Sequence, residues 1–204
     1  MDMQPLSPSE LTALPARDRI LLTAHRLFYR EGIRATGIDR VIKEAGVTKV
    51  TFYRHFPGKD ALILAFLHLR HQRWMQWFTT TLARNCARET GLAAALANTL
   101  QEWFADENFR GCAFINSSLE YAHALPEVLT LSAEHKQAMA QEVARYLPAE
   151  RQQMPHAQSI ALLIDGAIVQ AQIAGDARQV SGLLQEMLEV LLVGWQNSET
   201  NPCH

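Results

Sequence analysis

In this 204-residue chain, the side chains most suited to bind a partner lie in one short stretch, KVTFYRH, which starts at Lys49. It carries two fixed cations, an imidazole, a hydroxyl and a phenol. At helical spacing Phe52 and Phe56 face inward, which leaves these polar groups on the outer side. A helix this short is poor as a core element, but its outer groups can donate to base edges and phosphates in a DNA major groove. The stretch therefore predicts a nucleic-acid contact.

A second helix must hold this one in place, and the preceding residues predict it. Gly46 follows where that helix must end, because only glycine enters the left-handed conformation without steric cost. Thr48 then stands where an N-cap is expected, its hydroxyl able to accept from free backbone N–H groups. The apolar face of the first helix consists of Ile38, Val41, Ile42 and Ala45.

Two helices joined by a glycine turn can also be mere packing. The following segment favours DNA, because Lys59 falls in the first turn of another helix, where a cation is unfavourable unless an anion lies nearby. A DNA phosphate would be such an anion. For Lys59 alone, a solvated side chain is the simpler interpretation.

The run from Arg19 to Leu62 resembles the N-terminal domain of TetR-family transcriptional regulators. The resemblance rests on AxRLFxxxG (Ala24 to Gly32), Thr36 and Gly37 before the second helix, then AGVT, TFYRHF and Lys59. These motifs cover about a quarter of the chain, and their order and spacing are highly specific. The family often has a small residue where Val50 stands, so the base edge that this position contacts stays open.

The resemblance implies a homodimeric transcriptional regulator, expected to be a repressor of a near-palindromic operator in double-stranded DNA and to be released by an unidentified small-molecule effector. By position on the outer face, Lys49, Thr51 and Arg54 are expected at base edges. The alternative is a small-molecule-binding protein or enzyme whose helix-turn-helix is only structural. The side chains expected mainly at phosphates are Thr36, Thr48, Tyr53, His55 and Lys59.

Charge and composition fit a nucleic-acid-binding head on a non-binding body. Residues 16–60 hold ten Lys or Arg and five Asp or Glu, whereas the remainder to the C terminus holds nine and fourteen. An uneven solvated surface would give the same counts. No run approaches the ~18 apolar residues of a membrane span. Cys86, Cys112 and Cys203 have no metal-binding spacing and suit a reducing cytoplasm, so we expect a cytoplasmic protein with no cofactor, metal or membrane partner.

Hydrophobic periodicity predicts an all-α fold of about nine helices. We expect a disordered arm over residues 1–15, a three-helix DNA-binding domain over 16–62, a helical effector-binding and dimerisation domain over 63–197, and a flexible tail over 198–204. A long helix from Lys59 to Leu82 joins the two domains. It is a candidate lever through which ligand binding would change the separation of the two recognition helices.

The last two predicted helices are apolar over more than one face. A two-fold dimer in which this pair meets its copy as a four-helix bundle would use both faces, and the resemblance implies the same contact. Alternatively, these are simply central core helices. The expected dimer residues are Ile160, Leu163, Ile164, Ile168, Leu184, Met187, Leu188 and Leu191.

The middle of the chain is rich in aromatic residues, which suits a ligand pocket but equally suits a core. The resemblance implies an effector pocket between the middle helices. The candidate lining residues are Trp74, Phe78, Trp103, Phe104, Cys112, Asn116, Tyr121, His123, Met139 and Gln170.

Two other chemistries have weaker patterns. Cys112 at a helix N-terminus could form a thiolate that senses electrophiles, although such a cysteine is more often a small buried hydrophobe. Glu120 and His123 stand three residues apart beside two serines, but the sequence has no nucleophile elbow, phosphate-binding glycine loop or HExxH motif. We therefore do not expect an enzyme.

Overall fold

Every regular element in this protein is an α-helix, within residues 8–89 and 91–200 that the computed structural model describes. The expected all-α class is thereby confirmed. The helices, in chain order, are α1 (Pro8–Ala13), α2 (Ala16–Glu31), α3 (Ile38–Ala45), α4 (Lys49–His55), α5 (Lys59–Cys86), α6 (Leu92–Phe104), α7 (Ala113–Tyr121), α8 (Glu127–Ala144), α9 (Gln153–Ala174) and α10 (Ala177–Thr200).

The two ends of the chain differ from the sequence-based expectation. Helix α1 lies inside the segment expected as a disordered arm, while residues 1–7 lie outside the described residues. A proline is tolerated in the first turn of a helix, because its missing N–H would have no intrahelical partner there. Helix α10 continues to Thr200, past the expected start of a tail at residue 198, and residues 201–204 are again outside the described part.

Two compact units divide the chain. The first runs up to Trp74 and includes Cys112–His135, and the second comprises Met75–Gly111 and the chain from Lys136 onward. Helix α7 and the beginning of α8 thus belong with the N-terminal helices, a grouping that the sequence does not indicate. The expected boundary near residue 62 separates a DNA-binding domain from an effector-binding domain. This functional division stays a prediction.

The core of the first unit is built on one face of α2. Ile20, Ala24, Leu27 and Phe28 are buried, as the sequence predicts. Phe66 of α5 packs edge-on against the ring of Phe28, with ring centroids 5.6 Å apart. This apolar face fixes α2 against the first half of α5.

A buried histidine also belongs to this core. His25 lies on α2 with its ring centroid 5.5 Å from that of Phe66. Burial, together with the cations of Arg70 and Arg73, lowers the pKa of His25 to about 3. The imidazole is therefore neutral in the folded protein at neutral pH.

Ion pairs tie α3 to α2 outside this core. Glu44 accepts from Arg26 of α2 at 2.5 Å and from Arg40 of its own helix at 2.8 Å. Arg40 also pairs with Glu31. These arginines hold the pKa of Glu44 below its usual range, with the hydrogen bond from Arg40 as the largest cause. The network links α2 to α3, which is the first helix of the helix-turn-helix.

In the second unit, α10 packs against α6, and Ser181 donates a hydrogen bond to the side-chain oxygen of Gln101 at 3.0 Å. Lys136 of α8 pairs with Asp165 of α9 at 2.5 Å. Among the described helices, α9 has the length and apolar composition of a membrane span, a test that core helices also pass. That single helix is weak evidence for a membrane.

Replacing His25 with glutamine should flatten the acid limb of the stability curve. The unfolded imidazole takes up a proton near its ordinary pKa of 6.5, while the folded one takes up none until about pH 3. Between these values the unfolded state holds the extra proton, so the free energy of unfolding falls as pH falls. His25 contributes about 1.4 kcal/mol per pH unit to this slope of the free energy of unfolding. The His25→Gln variant should lack that contribution.

Urea unfolding at a series of pH values below neutrality measures this difference. The matched control is His68→Gln, which changes an exposed imidazole in the same unit and should keep the wild-type slope. Equal slopes for His25→Gln and the wild type would contradict the prediction.

Candidate nucleic-acid interface

Helix α4 is anchored by its inner side and by its first turn. Phe52 and Phe56 are buried, with ring centroids 6.2 Å apart. The hydroxyl of Thr48 accepts from the backbone N–H of Thr51 at 3.1 Å, which confirms the predicted N-cap. Gly46 ends α3 in the left-handed conformation with φ of 63°, also as predicted. The predicted end of α3 and the predicted start of α4 are therefore both confirmed.

The outer side of α4 is open to solvent. Lys49 and Arg54 are exposed, Val50 is 71% exposed and Tyr53 is 51% exposed. Thr51 and His55 are half-buried. This division between inner and outer residues agrees with the sequence, while the contacts of these side chains with DNA stay predictions.

Two of the outer polar groups have partners within the protein. The ammonium of Lys49 lies 2.8 Å from a carboxylate oxygen of Asp39 at the start of α3. That hydrogen bond raises the pKa of Lys49 above its ordinary value. The hydroxyl of Thr51 lies 2.9 Å from that of Thr48. Both groups thus have a partner within the protein, although the pair of Lys49 with Asp39 is exposed to solvent and contributes little stability.

Thr36 does not lie where a phosphate contact needs it. Its side chain has no exposed surface, and its hydroxyl donates to the backbone carbonyl of Gly32 at 2.8 Å. A buried hydroxyl that is already bonded cannot reach a DNA phosphate. The structure therefore removes Thr36 from the predicted contacts and gives it a role in closing the loop between α2 and α3.

Lys59 has protein carboxylates close by. Its ammonium lies 5.8 Å from the ring centroid of Tyr121, whose hydroxyl donates to Asp60 at 3.3 Å. Burial lowers the pKa of Lys59, while the charges of Glu120 and Asp60 act in the opposite direction. The cation in the first turn of α5 is therefore compensated without DNA, and its phosphate role stays a prediction.

Glu120, at the end of α7, holds the loop between α2 and α3. Its carboxylate accepts from the backbone N–H of Ile33 at 3.0 Å and of Arg34 at 2.5 Å. The Nε of Arg34 donates to the backbone carbonyl of Glu120 at 2.6 Å. A Cβ on Gly32, where φ is +93°, would lie 3.1 Å from a carboxylate oxygen of Glu120. Glu120, which the sequence offered as a catalytic candidate together with His123, thus has a structural role in the loop between α2 and α3.

The candidate pocket residues are divided between the two units, and several of them belong to packed cores. His135, buried in the first unit, stacks on Phe114 at 3.9 Å and lies 4.9 Å from the ring of Trp74. Its Nδ1 is 3.2 Å from Nδ1 of His71. The first unit holds Trp74, Cys112, Asn116, Tyr121 and His123, and the second holds Phe78, Trp103, Phe104, Met139 and Gln170.

The predicted dimer residues are mostly core residues of one protomer. A side chain without exposed surface in its own protomer has nothing to offer a second copy, so the list needs correction. The apolar side chains left exposed on α9 are Leu162, Val169 and Ile173, and those on α10 are Leu183, Met187, Val190 and Val193. Of the predicted residues, Met187 is exposed, Leu163 and Leu191 are half-buried, and the buried ones are Ile160, Ile164, Ile168, Leu184 and Leu188.

The structure gives no support to electrophile sensing by Cys112 or to catalysis near Glu120 and His123. Cys112 is buried, which fits a small hydrophobe. Ser117 is also buried, and Ser118 donates to the hydroxyl of Ser132 at 2.9 Å. Within residues 8–89 and 91–200, no group of three or more metal-binding side chains comes together.

Comparison with known proteins identifies the family. The model for bacterial regulatory proteins of the tetR family matches residues 20–66. The crystal structure of SCO4454, a TetR-family transcriptional regulator from Streptomyces coelicolor, is 31% identical and covers 88% of this chain and 95% of that one, with a TM-score of 0.73. The reduced form of NemR from E. coli has the same TM-score at 20% identity, over 86% and 97% of the chains.

Curated relatives match only a short segment of this chain. YerO of Bacillus subtilis, an uncharacterized HTH-type transcriptional regulator, is 43% identical over 49 residues, which are 24% of this chain and 17% of YerO. Among eight such relatives, the matched segment spans between 17% and 33% of the relative's length. The likeness to SCO4454 extends over nearly the whole of both chains, and this protein belongs to the TetR family of transcriptional regulators. Its relatives are regulators and not enzymes.

Replacing Glu120 with glutamine should destabilise the first unit. The amide keeps the size of the carboxylate but has one accepting oxygen instead of two, so one N–H of Ile33 and Arg34 loses its partner. The bond to Ile33 is half-buried and the bond to Arg34 is exposed, so the cost lies at or below the low end of the about 1–3 kcal/mol of a buried donor without a partner. We expect a loss of this order in the free energy of unfolding and faster hydrogen exchange of the two amides.

The matched control is Glu186→Gln on α10, where the wild-type side chain is exposed. This control should change neither the free energy of unfolding nor the exchange rates of the Ile33 and Arg34 amides measurably. Amide exchange at Ile33 and Arg34 that stays at the wild-type rate in Glu120→Gln would show that this carboxylate does not hold the loop.

Proposed function

We propose that this protein is a homodimeric transcriptional repressor that binds a near-palindromic operator through α4 and is released by a small-molecule effector. The observation that carries the proposal is the outer face of α4. It is a capped helix, anchored by Phe52, that presents cationic, hydroxyl and phenolic side chains to solvent. Membership of the TetR family supports the same function.

On DNA, Lys49, Thr51 and Arg54 contact base edges in the major groove, and the remaining outer groups contact phosphates. Asp39 directs the ammonium of Lys49, because the two side chains already meet in the free protein. The phosphate contacts come from Thr48, Tyr53, His55 and Lys59. A dimer presents two such helices about 34 Å apart or a multiple of that distance.

The dimer contact is formed by α9 and α10 through the apolar side chains left exposed there. On α9, Leu162, Val169 and Ile173 are spaced to share one helix face, and Leu162 and Ile173 are each 75% exposed. On α10, Leu183 and Met187 are one turn apart and form a similar stripe. Contiguous apolar surface of this kind is typical of a protein–protein interface.

Effector binding acts on the head through α5 and α7. Helix α7 meets the α2–α3 loop through Glu120, and Tyr121 meets the first turn of α5 through Asp60. A ligand that favours a different position of these helices changes the separation of the recognition helices. A coupling of about 1–3 kcal/mol between the effector and DNA sites is typical of such regulators. We place the protein in the cytoplasm, where operator DNA is.

Selection of genomic DNA fragments by the purified protein tests DNA binding. The wild type should recover an inverted repeat. Lys49→Ala/Lys59→Ala should weaken binding by at least tenfold per half-site, because a good base contact is worth about 1–3 kcal/mol. Loss of the phosphate cation should also flatten the salt dependence by about one unit in the slope of log K against log salt.

The control removes two cations from the exposed surface of the second unit, in Arg151→Ala/Arg178→Ala. This variant should recover the same repeat with wild-type affinity. If wild type and both variants bind all fragments alike, α4 is only a packing element and the alternative of a ligand-binding protein gains.

Sedimentation equilibrium tests the dimer. Leu162→Glu/Leu183→Glu places charges in the exposed apolar stripe and should convert a dimer into monomers at micromolar concentration, since an unpaired charge in an interface is costly. Leu129→Glu, an exposed apolar position on α8, is the matched control and should leave the dimer intact. A wild type that is monomeric under these conditions would remove the dimer from the proposal.

A further inference from the structure

Val50 stands out on the outer face of α4. It is an aliphatic side chain, 71% exposed, in the first turn of a seven-residue helix. Valine has a lower helix propensity than alanine or the straight-chain residues, because its branched side chain loses rotamer freedom in a helix. Neither burial in the protomer nor helix formation accounts for a valine at this position.

The neighbours of Val50 have partners within the protein. Lys49 pairs with Asp39 at 2.8 Å, and the Thr51 hydroxyl lies 2.9 Å from the hydroxyl of Thr48. In the unbound protein these two polar groups meet α3 and the N-cap, and the exposed pair of Lys49 with Asp39 is weak enough to open on DNA. Val50, between them, presents two methyl groups to whatever approaches the middle of this first turn.

The DNA major groove offers one exposed methyl group among its base edges, the C5-methyl of thymine. Other edge groups are hydrogen-bond donors or acceptors, which an aliphatic side chain can only desolvate. We infer that Val50 is a specificity-determining residue that packs against the C5-methyl of a thymine in each operator half-site. This inference rests on the proposed function, and it names the base that the position selects.

The expected effect follows from the burial of a methyl group. Removing one buried methyl or methylene lowers affinity by about three- to tenfold. A symmetric dimer makes the contact twice, so the effects of the two half-sites multiply. Val50→Ala removes two methyl groups, so it should show at least this loss on the thymine-containing operator and little loss on an operator that lacks the C5-methyl.

The test replaces each operator thymine singly with deoxyuridine, which pairs like thymine and lacks only the C5-methyl. Binding is measured by fluorescence anisotropy at fixed salt, for wild type and Val50→Ala. One thymine per half-site should show about a three- to tenfold loss in wild type and none in Val50→Ala. Placing 5-methylcytosine at that position should restore part of the affinity that an unmethylated cytosine loses.

The matched control is Leu129→Ala, which removes an exposed aliphatic side chain from α8 in the same unit. It should respond to every deoxyuridine as the wild type does, and thermal unfolding should confirm that each variant is folded. Operator binding in which every deoxyuridine acts equally on wild type and Val50→Ala would overturn the assignment of Val50 and leave the regulator function standing. Failure of the wild type to select any operator would instead overturn the proposed function.

Discussion

The arrangement of this DNA-binding head depends on the burial of Phe52. A seven-residue helix is far below the ~12 residues at which an isolated helix becomes marginally stable in water. Full burial of a phenylalanine contributes about 1.5–3 kcal/mol, and a threonine N-cap adds about 1 kcal/mol. Helix α4 therefore exists because α2 and α3 provide a core for it. The outer side chains of α4 do not pack in this core, so they can contact a partner.

The same core reaches further along the chain than a three-helix domain requires. Glu120 bonds two backbone amides of the α2–α3 loop, and Tyr121 bonds Asp60 in the first turn of α5. Gly32 is needed at the point of closest approach, because of its positive φ and the nearby carboxylate. If α7 moves, either these contacts break or the α2–α3 loop and the start of α5 move with it. The head and α7 are mechanically one unit, whatever the functional boundary between them.

Local features of the sequence predicted the local structure well. Gly46, Thr48 and the apolar spacing from Ile38 to Ala45 determine α3, the turn and α4 through interactions within a few residues. The contact of Glu120 with Ile33 joins residues 87 apart, so no periodicity or cap motif indicates it. Thr36 was misplaced for a related reason, since its burial depends on the three-dimensional closure of the α2–α3 loop.

The last two helices show the same limit on a larger scale. Periodicity identified α9 and α10 as apolar on more than one face, but it could not say which residues α6 would cover. Ile164 and Leu188 are covered by the protomer itself, whereas Leu162 and Leu183 remain at the surface. The two helices are therefore confirmed, whereas five of the eight residues predicted for a dimer contact are buried within the chain itself.

The distance in sequence between Glu120 and the loop it holds also affects how the protein is made. A nascent chain that has released its first sixty residues from the ribosome already contains α2, α3 and α4. Its α2–α3 loop still has two unpaired amides, because their acceptor has not been synthesised. At about 5–20 residues per second, several seconds pass before α7 emerges. The head thus acquires its last contacts only after α7 has been synthesised, so a chain truncated before α7 carries a recognition helix on an incompletely closed support.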